Sequence, residues 1–326
     1  MKSKWKQTIP VFYAADRNYL PYLAVSVSSL KANANKNYRY EIYVLTSDQE
    51  LLKTEKLKKY EDEDFSIEFV DVTAYLEDVK NSLQLRDYYT GATYYRIFIA
   101  SMFPDLDKAL YIDSDTVLLG DVSELYNVEL SDTLIGAIPD GAVAAVEEFK
   151  IYTKYTLGID AENYFNAGVV LMNLAAFRKE NFYARFCNLL KAYKFCVAQD
   201  QDYLNVLCKD RVTYIGEEWN RMPIGGDEET PKLIHYNLTL KPWHYENILF
   251  SEYFWRYAKE TEFYEEILAE LAAYSDEKKA ADSEAESRLK SLALAEAYRE
   301  DNYYKRYCYR LLSQSTNREN GVKARF

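Results

Sequence analysis

Two aspartates one residue apart, Asp113 and Asp115, close an apolar run in ALYIDSDTVLL (109–119). A buried strand does not carry two carboxylates at its tip without something to neutralise them. Three chemistries suit the pair. Both can share a hard divalent cation through oxygen atoms. One can attack as a nucleophile while the other serves as general acid/base. Or one caps a turn and the other is solvated. Far downstream, IHYNLTLKPWHY (234–245) supplies His235 and, six residues on, Lys241. Two aspartates with one imidazole favour Mn²⁺ over Mg²⁺, because imidazole suits the softer ion. Lys241, in an otherwise acidic chain, suits the negative charge of a bound diphosphate. The competing meaning of His235 is a satisfied core histidine.

The elements that must position these residues follow from periodicity. TIPVFYAAD (8–16), YEIYVLTSD (40–48), FSIEFVDV (65–72), KALYIDSD (108–115) and LIGAIPD (134–140) read as strands, most with an acid at the tip. Helical patterns occur in PYLAVSVSSLKANA, in the charged QELLKTEKLKKYEDE (49–63) and in TYYRIFIASMF (93–103). YFNAGVVLMNLAAFRKE (164–180) changes from strand to helix near Asn173, and 182–195 has the 3.6 period. AQDQDYLNVLCKD starts a further helix with Asp200 or Gln201 in its first turn. VTYIGEEWN and KLIHYN are short strands. Strands alternating with helices predict an α/β fold, a single Rossmann-like, mostly parallel sheet with helices on both faces. Such sheets bind ligands beyond the C-terminal ends of their strands, where Asp16 and the Asp113/Asp115 pair stand.

This organisation narrows the meaning of the pair. DSDTV fits the DxDx[TV] pattern of haloacid dehalogenase-type phosphatases. That site needs its motif on the first strand and a late acidic pair. Here three strand–helix units precede the motif and the sequence contains no Asp-Asp dipeptide. The phosphatase is the weakest reading.

Composition excludes several other classes. Fifty-two acidic against 40 basic residues leave a formal charge of -12, which repels polyphosphate and argues against a nucleic-acid partner. The opening MKSKWKQTIPVFYAAD is interrupted by Asp16 too soon for a signal peptide, and no window approaches 18 apolar residues. A cytoplasmic protein is expected. Four cysteines without a CxxC pair read as free thiols.

From about Phe263 the character changes. SDEKKAADSEAESRLKSLALAEAYRED is charged, rich in alanine and free of Gly and Pro, with a narrow stripe of Ala285, Leu289, Leu292 and Glu296. It reads as a helical appendage on a solvated linker. Residues 302–326 then carry six Lys/Arg against one Glu, interleaved with Tyr303, Tyr304, Tyr307 and Tyr309. That tail is either a cap on the domain or a peripheral contact with the inner face of an anionic membrane. The expected division is 1–262 for the main domain and 263–326 for the helical extension.

Taken together and in order, VFYAADRNYLPYL, TYYRIFIASMFP, ALYIDSDTVLLGDVSEL, YFNAGVVLMNL, QDQDYLN and HYNLTLKPW resemble the retaining glycosyltransferases of family 8 over roughly residues 8 to 260. That family has a GT-A fold and includes bacterial lipopolysaccharide galactosyl- and glucosyltransferases and glycogenin. The resemblance implies transfer of a hexose from a UDP-sugar (UDP-glucose or UDP-galactose) to a glycan, glycolipid or glycoprotein acceptor. It implies that Asp113, Asp115 and His235 bind Mn²⁺, with Mg²⁺ as the alternative. Ala14, Asp16 and Asn18 would contact the nucleoside; Arg96, Ser114 and Lys241 would serve the donor's sugar and diphosphate. Asp140, Asn166, Asp200 and Gln201 would surround the donor sugar, with Gln201 beneath its anomeric carbon. An amide at Gln201, where double displacement would want a carboxylate, favours front-face attack. One departure stands out: many relatives have glycine three residues after the histidine, and here that position is Leu238. Its side chain is expected to press on the donor or to redirect the loop. A catalytically silent sugar-nucleotide-binding scaffold is the alternative from a different class, and the intact DSD, His235 and Lys241 argue against it.

Overall fold

The computed structural model describes residues 6–79, 91–226 and 230–308. In chain order its strands are β1 (Gln7–Ala14), β2 (Tyr38–Thr46), β3 (Phe65–Asp71), β4 (Lys108–Ile112), β5 (Thr116–Leu118), β6 (Ile135–Pro139), β7 (Phe165–Asn173), β8 (Val212–Tyr214) and β9 (Leu233–His235). One sheet has the order β3-β2-β1-β4-β7-β6-β8, and β5 pairs with β9 apart from it. Pairs β1–β2, β2–β3, β1–β4 and β6–β8 are parallel, whereas β7 runs antiparallel to both β4 and β6. The mostly parallel sheet is thus present, with one reversed strand inside it.

Central parallel strands are covered on both faces, so they need apolar residues at consecutive positions. β1 is buried without a break from Ile9 to Ala14 and β4 from Ala109 to Ile112. Successive side chains enter opposite layers, as the pleat requires. Phe12 and Tyr111 join one apolar cluster; Val11, Tyr13 and Leu110 join the other. The chain runs outward from β1 through β2 to β3 and then returns to the other side of β1 as β4. Such a reversal opens a crevice beyond the C-terminal ends of β1 and β4. Asp16 follows the first and Asp113 the second.

The helices are α1 (Leu20–Asn33), α2 (Thr73–Val79), α3 (Ile99–Met102), α4 (Val122–Tyr126), α5 (Gly141–Ala145), α6 (Glu147–Tyr152), α7 (Leu174–Lys179), α8 (Phe182–Ala192), α9 (Gln199–Cys208), α10 (Ser251–Ala258), α11 (Tyr264–Ala272) and α12 (Asp276–Tyr298). The change from strand to helix falls where the pattern put it. The Asn173 side chain caps α7 by accepting from the Ala176 N–H at 3.0 Å.

Three local expectations are corrected. Residues 49–63 form two short 3₁₀ turns, Leu51–Lys53 and Lys58–Tyr60, not a helix. Three, four and seven residues after the buried Leu51 come Thr54, Glu55 and Lys58, so a helix there would have no apolar stripe to bury. In 93–103 the chain winds as a 3₁₀ segment, Gly91–Phe98, before one turn of α3, and Arg96 Nε donates to the Thr93 carbonyl at 2.9 Å. The solvated linker expected near residue 263 is not there. Phe263 and Ile267 are buried in the sheet's second apolar layer. α12 lies across α6 with Ala293 and Ala297 buried and with Leu289 and Leu292 packed on the first layer. Alanine has no long side chain to hold two helices apart, so a narrow stripe suffices for close packing.

Beyond α12 the Asn302 side chain donates to the carbonyls of Tyr155, Glu296 and Ala297. Tyr303 packs edge-on against Tyr193 and Phe195. The start of the tail is therefore part of the domain, while its residues from Tyr309 to 326 lie outside the described ones. Among the described residues no helix is long and apolar enough to cross a membrane. All four cysteines are free.

Candidate active site

β4 ends at Ile112, and the Asp113 N–H bonds the Gly168 carbonyl of β7 at 2.7 Å. The chain then turns sharply. Ser114 Oγ donates to the Ala14 carbonyl at 2.8 Å and Thr116 Oγ1 to the Asp113 carbonyl at 2.9 Å. The first bond ties the turn to the tip of β1, and the second closes the turn on itself. β5 next pairs with β9 so that Thr116 lies opposite His235, and the Tyr236 N–H bonds the Asp115 carbonyl at 2.9 Å. Through this small ladder His235, 120 residues downstream, reaches the acid pair. Its Nε2 lies 3.2 Å from Asp115 Oδ1 and 3.8 Å from Asp113 Oδ2.

One donor atom from each of the three side chains lies within 4.8 Å of the other two. A Cβ at position 168 would run into the His235 ring and the Asp113 carboxylate, so glycine keeps this hollow open. The imidazole is held from behind. Asn220 Nδ2 donates to Asn166 Oδ1, which turns Asn220 Oδ1 toward His235 Nδ1, 2.9 Å away. With Nδ1 directed at Asn220, Nε2 is the ring nitrogen left to face the aspartates. Two carboxylates and one imidazole nitrogen converging in this way fit a divalent cation.

The surrounding charges are arranged to tolerate the acids. Lys241, itself buried, forms an ion pair with Asp115. Burial opposes ionisation of Asp115, but Lys241 and His235 outweigh it and hold that carboxyl below its ordinary range. Arg96 is buried and lies over the Tyr111 ring at 4.3 Å. Its guanidinium meets Asp113 at 3.2 Å, Asp200 at 3.0 Å and the Ala167 carbonyl. Burial pushes the Asp200 carboxyl up to about 7, against the pull of Arg96 and aided by the Asp113 charge.

A second group lies beside the first. Asp140 caps α5 by accepting from the Ala142 and Val143 N–H groups, each at 3.0 Å. Its other oxygen accepts from Asn166 Nδ2 at 3.0 Å and from Gln201 Nε2 at 2.9 Å. Gln201 Oε1 takes the Ala167 N–H at 2.9 Å. The first turn of α9, which carries Asp200 and Gln201, is anchored by a residue the sequence reading did not single out. Asp202 accepts from the hydroxyls of Tyr152 and Tyr164 at 2.8 and 2.7 Å and from the Ala198 N–H at 3.0 Å.

Residues 10–247 match the family profile described as "Glycosyl transferase family 8". The chain belongs to that family. A putative glycosyltransferase of Haemophilus influenzae is 30% identical over 224 residues, 68% of this chain and 66% of the relative. A lipopolysaccharide 1,3-galactosyltransferase of Salmonella typhimurium is 28% identical over 260 residues, 72% of each. The apo structure of the bifunctional glycosyltransferase WbbM superposes with a TM-score of 0.73 at 28% identity, covering 84% of this chain. This chain spans about half of WbbM, 53% of its length, and about two thirds of the Haemophilus relative. The architecture is the GT-A fold expected of the family.

In this family 8 chain both groups line one cleft that opens to solvent. Asp113, Ser114, Asp115, His235, Lys241, Arg96, Asp140, Asn166, Asp200 and Gln201 all face it, as do Ala14 and Asp16 at the end of β1. Asn18 is the exception. It is exposed and outside the cleft, and its N–H bonds the Asp16 carboxylate at 2.9 Å, because Asp16 folds the chain into a turn leading into α1. Tyr19 lines the cleft in its place. Leu238 also faces it and has a φ of 49°, the left-handed region that glycine enters without strain. The loop therefore follows a path suited to glycine while carrying a leucine. Asn220, Gly168 and Tyr19 had escaped the sequence reading. No local pattern marks Asn220 or Gly168, whereas the aromatic next to Asn18 and the second acid of QDQD, Asp202, were legible signals.

Proposed function

We propose that this chain is a retaining hexosyltransferase. It moves glucose or galactose from UDP-glucose or UDP-galactose to a hydroxyl of a glycan, glycolipid or glycoprotein acceptor. Asp113, Asp115 and His235 would hold Mn²⁺, with Mg²⁺ as a weaker substitute for this mixed oxygen and nitrogen set. When bound, the ion neutralises charge on the diphosphate of the donor. The observation that carries this reading is the meeting of Asp113, Asp115, His235 and Lys241 at one end of a cleft whose adjoining wall presents Asp140, Asn166 and Gln201.

Each residue then has a task. Ala14, Asp16 and Tyr19 bind the nucleoside, and Ser114 fixes the turn between β1 and the acids. Lys241 meets the charge that develops on the leaving diphosphate, the place where preorganised charge lowers a barrier most. Arg96 neutralises Asp113 and Asp200 and so sets the floor beneath the sugar. Asn166, Asp200 and Gln201 present oxygens to a sugar carbon that becomes cationic, and Asp140 orients two of them. Since an amide stands at Gln201, we favour front-face attack. The acceptor oxygen bonds C1 on the side that the diphosphate leaves, and its proton passes to the departing phosphate oxygen.

Residues 1–262 are taken as the catalytic domain and 263–326 as its extension. Work at the cytoplasmic face of a bacterial membrane, with residues 302–326 as a peripheral contact, accords with the basic and aromatic composition of that tail. It also accords with similarity to a lipopolysaccharide galactosyltransferase. A panel of UDP-sugars assayed with Mn²⁺, with and without EDTA, tests the reading. Chelator-sensitive hydrolysis or transfer from one UDP-hexose is expected. UDP binding without turnover across the panel would leave the silent scaffold, and neither turnover nor Mn²⁺-dependent UDP binding would overturn the reading.

A further inference from the structure

Lys241 opens a short turn, Lys241–Tyr245, whose three aromatic side chains are each gripped from outside the cleft. The Trp243 indole stacks on Tyr22 of α1 with ring centroids 3.9 Å apart. The His244 ring stacks on Tyr274 at 3.9 Å, and its Nε2 lies 3.1 Å from Glu270 Oε1 of α11. Glu270 also accepts from the Tyr22 hydroxyl. Tyr245 and Tyr274 both donate to one oxygen of Asp282 on α12, each at 2.7 Å.

The grip reaches the lysine through the backbone. The N–H groups of His244 and Tyr245 both bond the Lys241 carbonyl at 3.0 Å. The Lys241 ammonium lies 5.4 Å from the centre of the Trp243 ring. Displacing either His244 or Tyr245 therefore displaces the base of the lysine side chain. Buried carboxylates such as Asp282 are a costly way to dock a helix, since apolar residues do that as well or better. What a carboxylate adds is direction: it fixes where two phenol oxygens must point.

We infer that Glu270 and Asp282, both on the C-terminal helices, are positioning residues that set where the Lys241 ammonium meets the diphosphate of a nucleotide sugar. The inference rests on the role proposed above for Lys241. It makes the extension part of the donor site and not only a cap. Because both phenols share one Asp282 oxygen, a neutral carbonyl oxygen at that position can hold them, and asparagine restores the arrangement where leucine does not.

The test is a double-mutant cycle on the full chain, read by calorimetric binding of UDP in the presence of Mn²⁺. Asp282→Leu is expected to weaken UDP about tenfold, and Asp282→Asn to stay within about twofold of the unmodified protein. In a Lys241→Ala background, Asp282→Leu adds no further loss. Mn²⁺ binding measured without UDP stays the same in the Asp282 variants, because the three metal-facing residues sit on β9 and the turn before β5. Additive losses from Lys241→Ala and Asp282→Leu would overturn the inference and leave the role of Lys241 intact. No loss of UDP from Lys241→Ala alone would instead remove that role, and the positioning role with it. If Asp282→Leu does not fold, Tyr245→Phe takes its place in the cycle, with an expected loss of about threefold and the same non-additivity.

Discussion

The two groups of polar residues in the cleft are built on opposite plans. Around Asp140 the chain satisfies itself: both carboxylate oxygens accept, from two backbone N–H groups and from the amides of Asn166 and Gln201. Around Asp113 and Asp115 like charges are crowded within 4.8 Å of each other and of His235, steadied by Arg96 and Lys241. The first plan makes a stiff wall, because every donor has one acceptor in a fixed direction. The second keeps carboxylate oxygens and an imidazole nitrogen converging on one point while Lys241 and Arg96 balance their charge, an arrangement that suits a bound cation. Removing a carboxylate should consequently cost stability at one end and ligand binding at the other.

The largest expected effect is at the charged end. Asp113→Asn should abolish Mn²⁺ binding and cut transfer by about a thousandfold, with the melting free energy altered by no more than about 1 kcal/mol. Titration with Mn²⁺ followed by a thermal melt checks both halves. A variant that binds Mn²⁺ normally would place the metal elsewhere. At the satisfied end, Asp140→Ala removes a helix cap and leaves the buried Asn166 amide and the half-buried Gln201 amide without their acceptor. It should destabilise the fold by about 3 kcal/mol, read from urea unfolding. If the unfolding midpoint does not move, the wall is softer than its hydrogen bonds suggest and the contrast between the two ends weakens.

A residue joining the two groups gives an intermediate effect. Asn220 bonds both Asn166 and His235, so Asn220→Ala should lower Mn²⁺ affinity by about 10- to 100-fold while the Asp140 network stays in place. Unchanged affinity would mean that His235 keeps its tautomer and orientation unaided. The smallest effect is expected at Leu238. Leu238→Gly relieves about 1 kcal/mol of left-handed backbone cost, largely offset by the greater freedom of glycine in the unfolded chain. Its melting temperature should hardly change, whereas KM for the donor should fall if the leucine side chain crowds the phosphates. An unaltered KM would show that the leucine leaves the donor alone.

Much of this arrangement was legible in the sequence because it is local. Strand and helix periods located β1 to β4, and acids at strand tips marked the crevice. The strand-to-helix change at Asn173 was readable from one side chain that caps a helix. The helix expected over 49–63 failed for a local reason as well, the lack of an apolar stripe behind Leu51. Asn18, expected beside the nucleoside, is exposed and outside the cleft because the turn held by Asp16 carries it to the surface. The helical extension looks weakly apolar in sequence because the narrow stripe through Leu289 and Leu292 leaves out the small Ala293 and Ala297, which are buried against the domain.

By itself, then, the amino-acid sequence determined the α/β plan, the order of the motifs and the residue types gathered for chemistry. Hydrophobic period and end-of-strand acids act over a few residues, and that information is written along the chain. The tertiary structure alone decided that Thr116 faces His235 across a three-residue ladder and that Asn220 holds the imidazole from behind. It also decided that Gly168 must be without a side chain, and that Glu270 and Asp282 hold the turn bearing Lys241. Those relations join residues from 15 to well over a hundred positions apart, and no local propensity encodes them. They exist only once two apolar layers have closed on the sheet and left these side chains nowhere else to go.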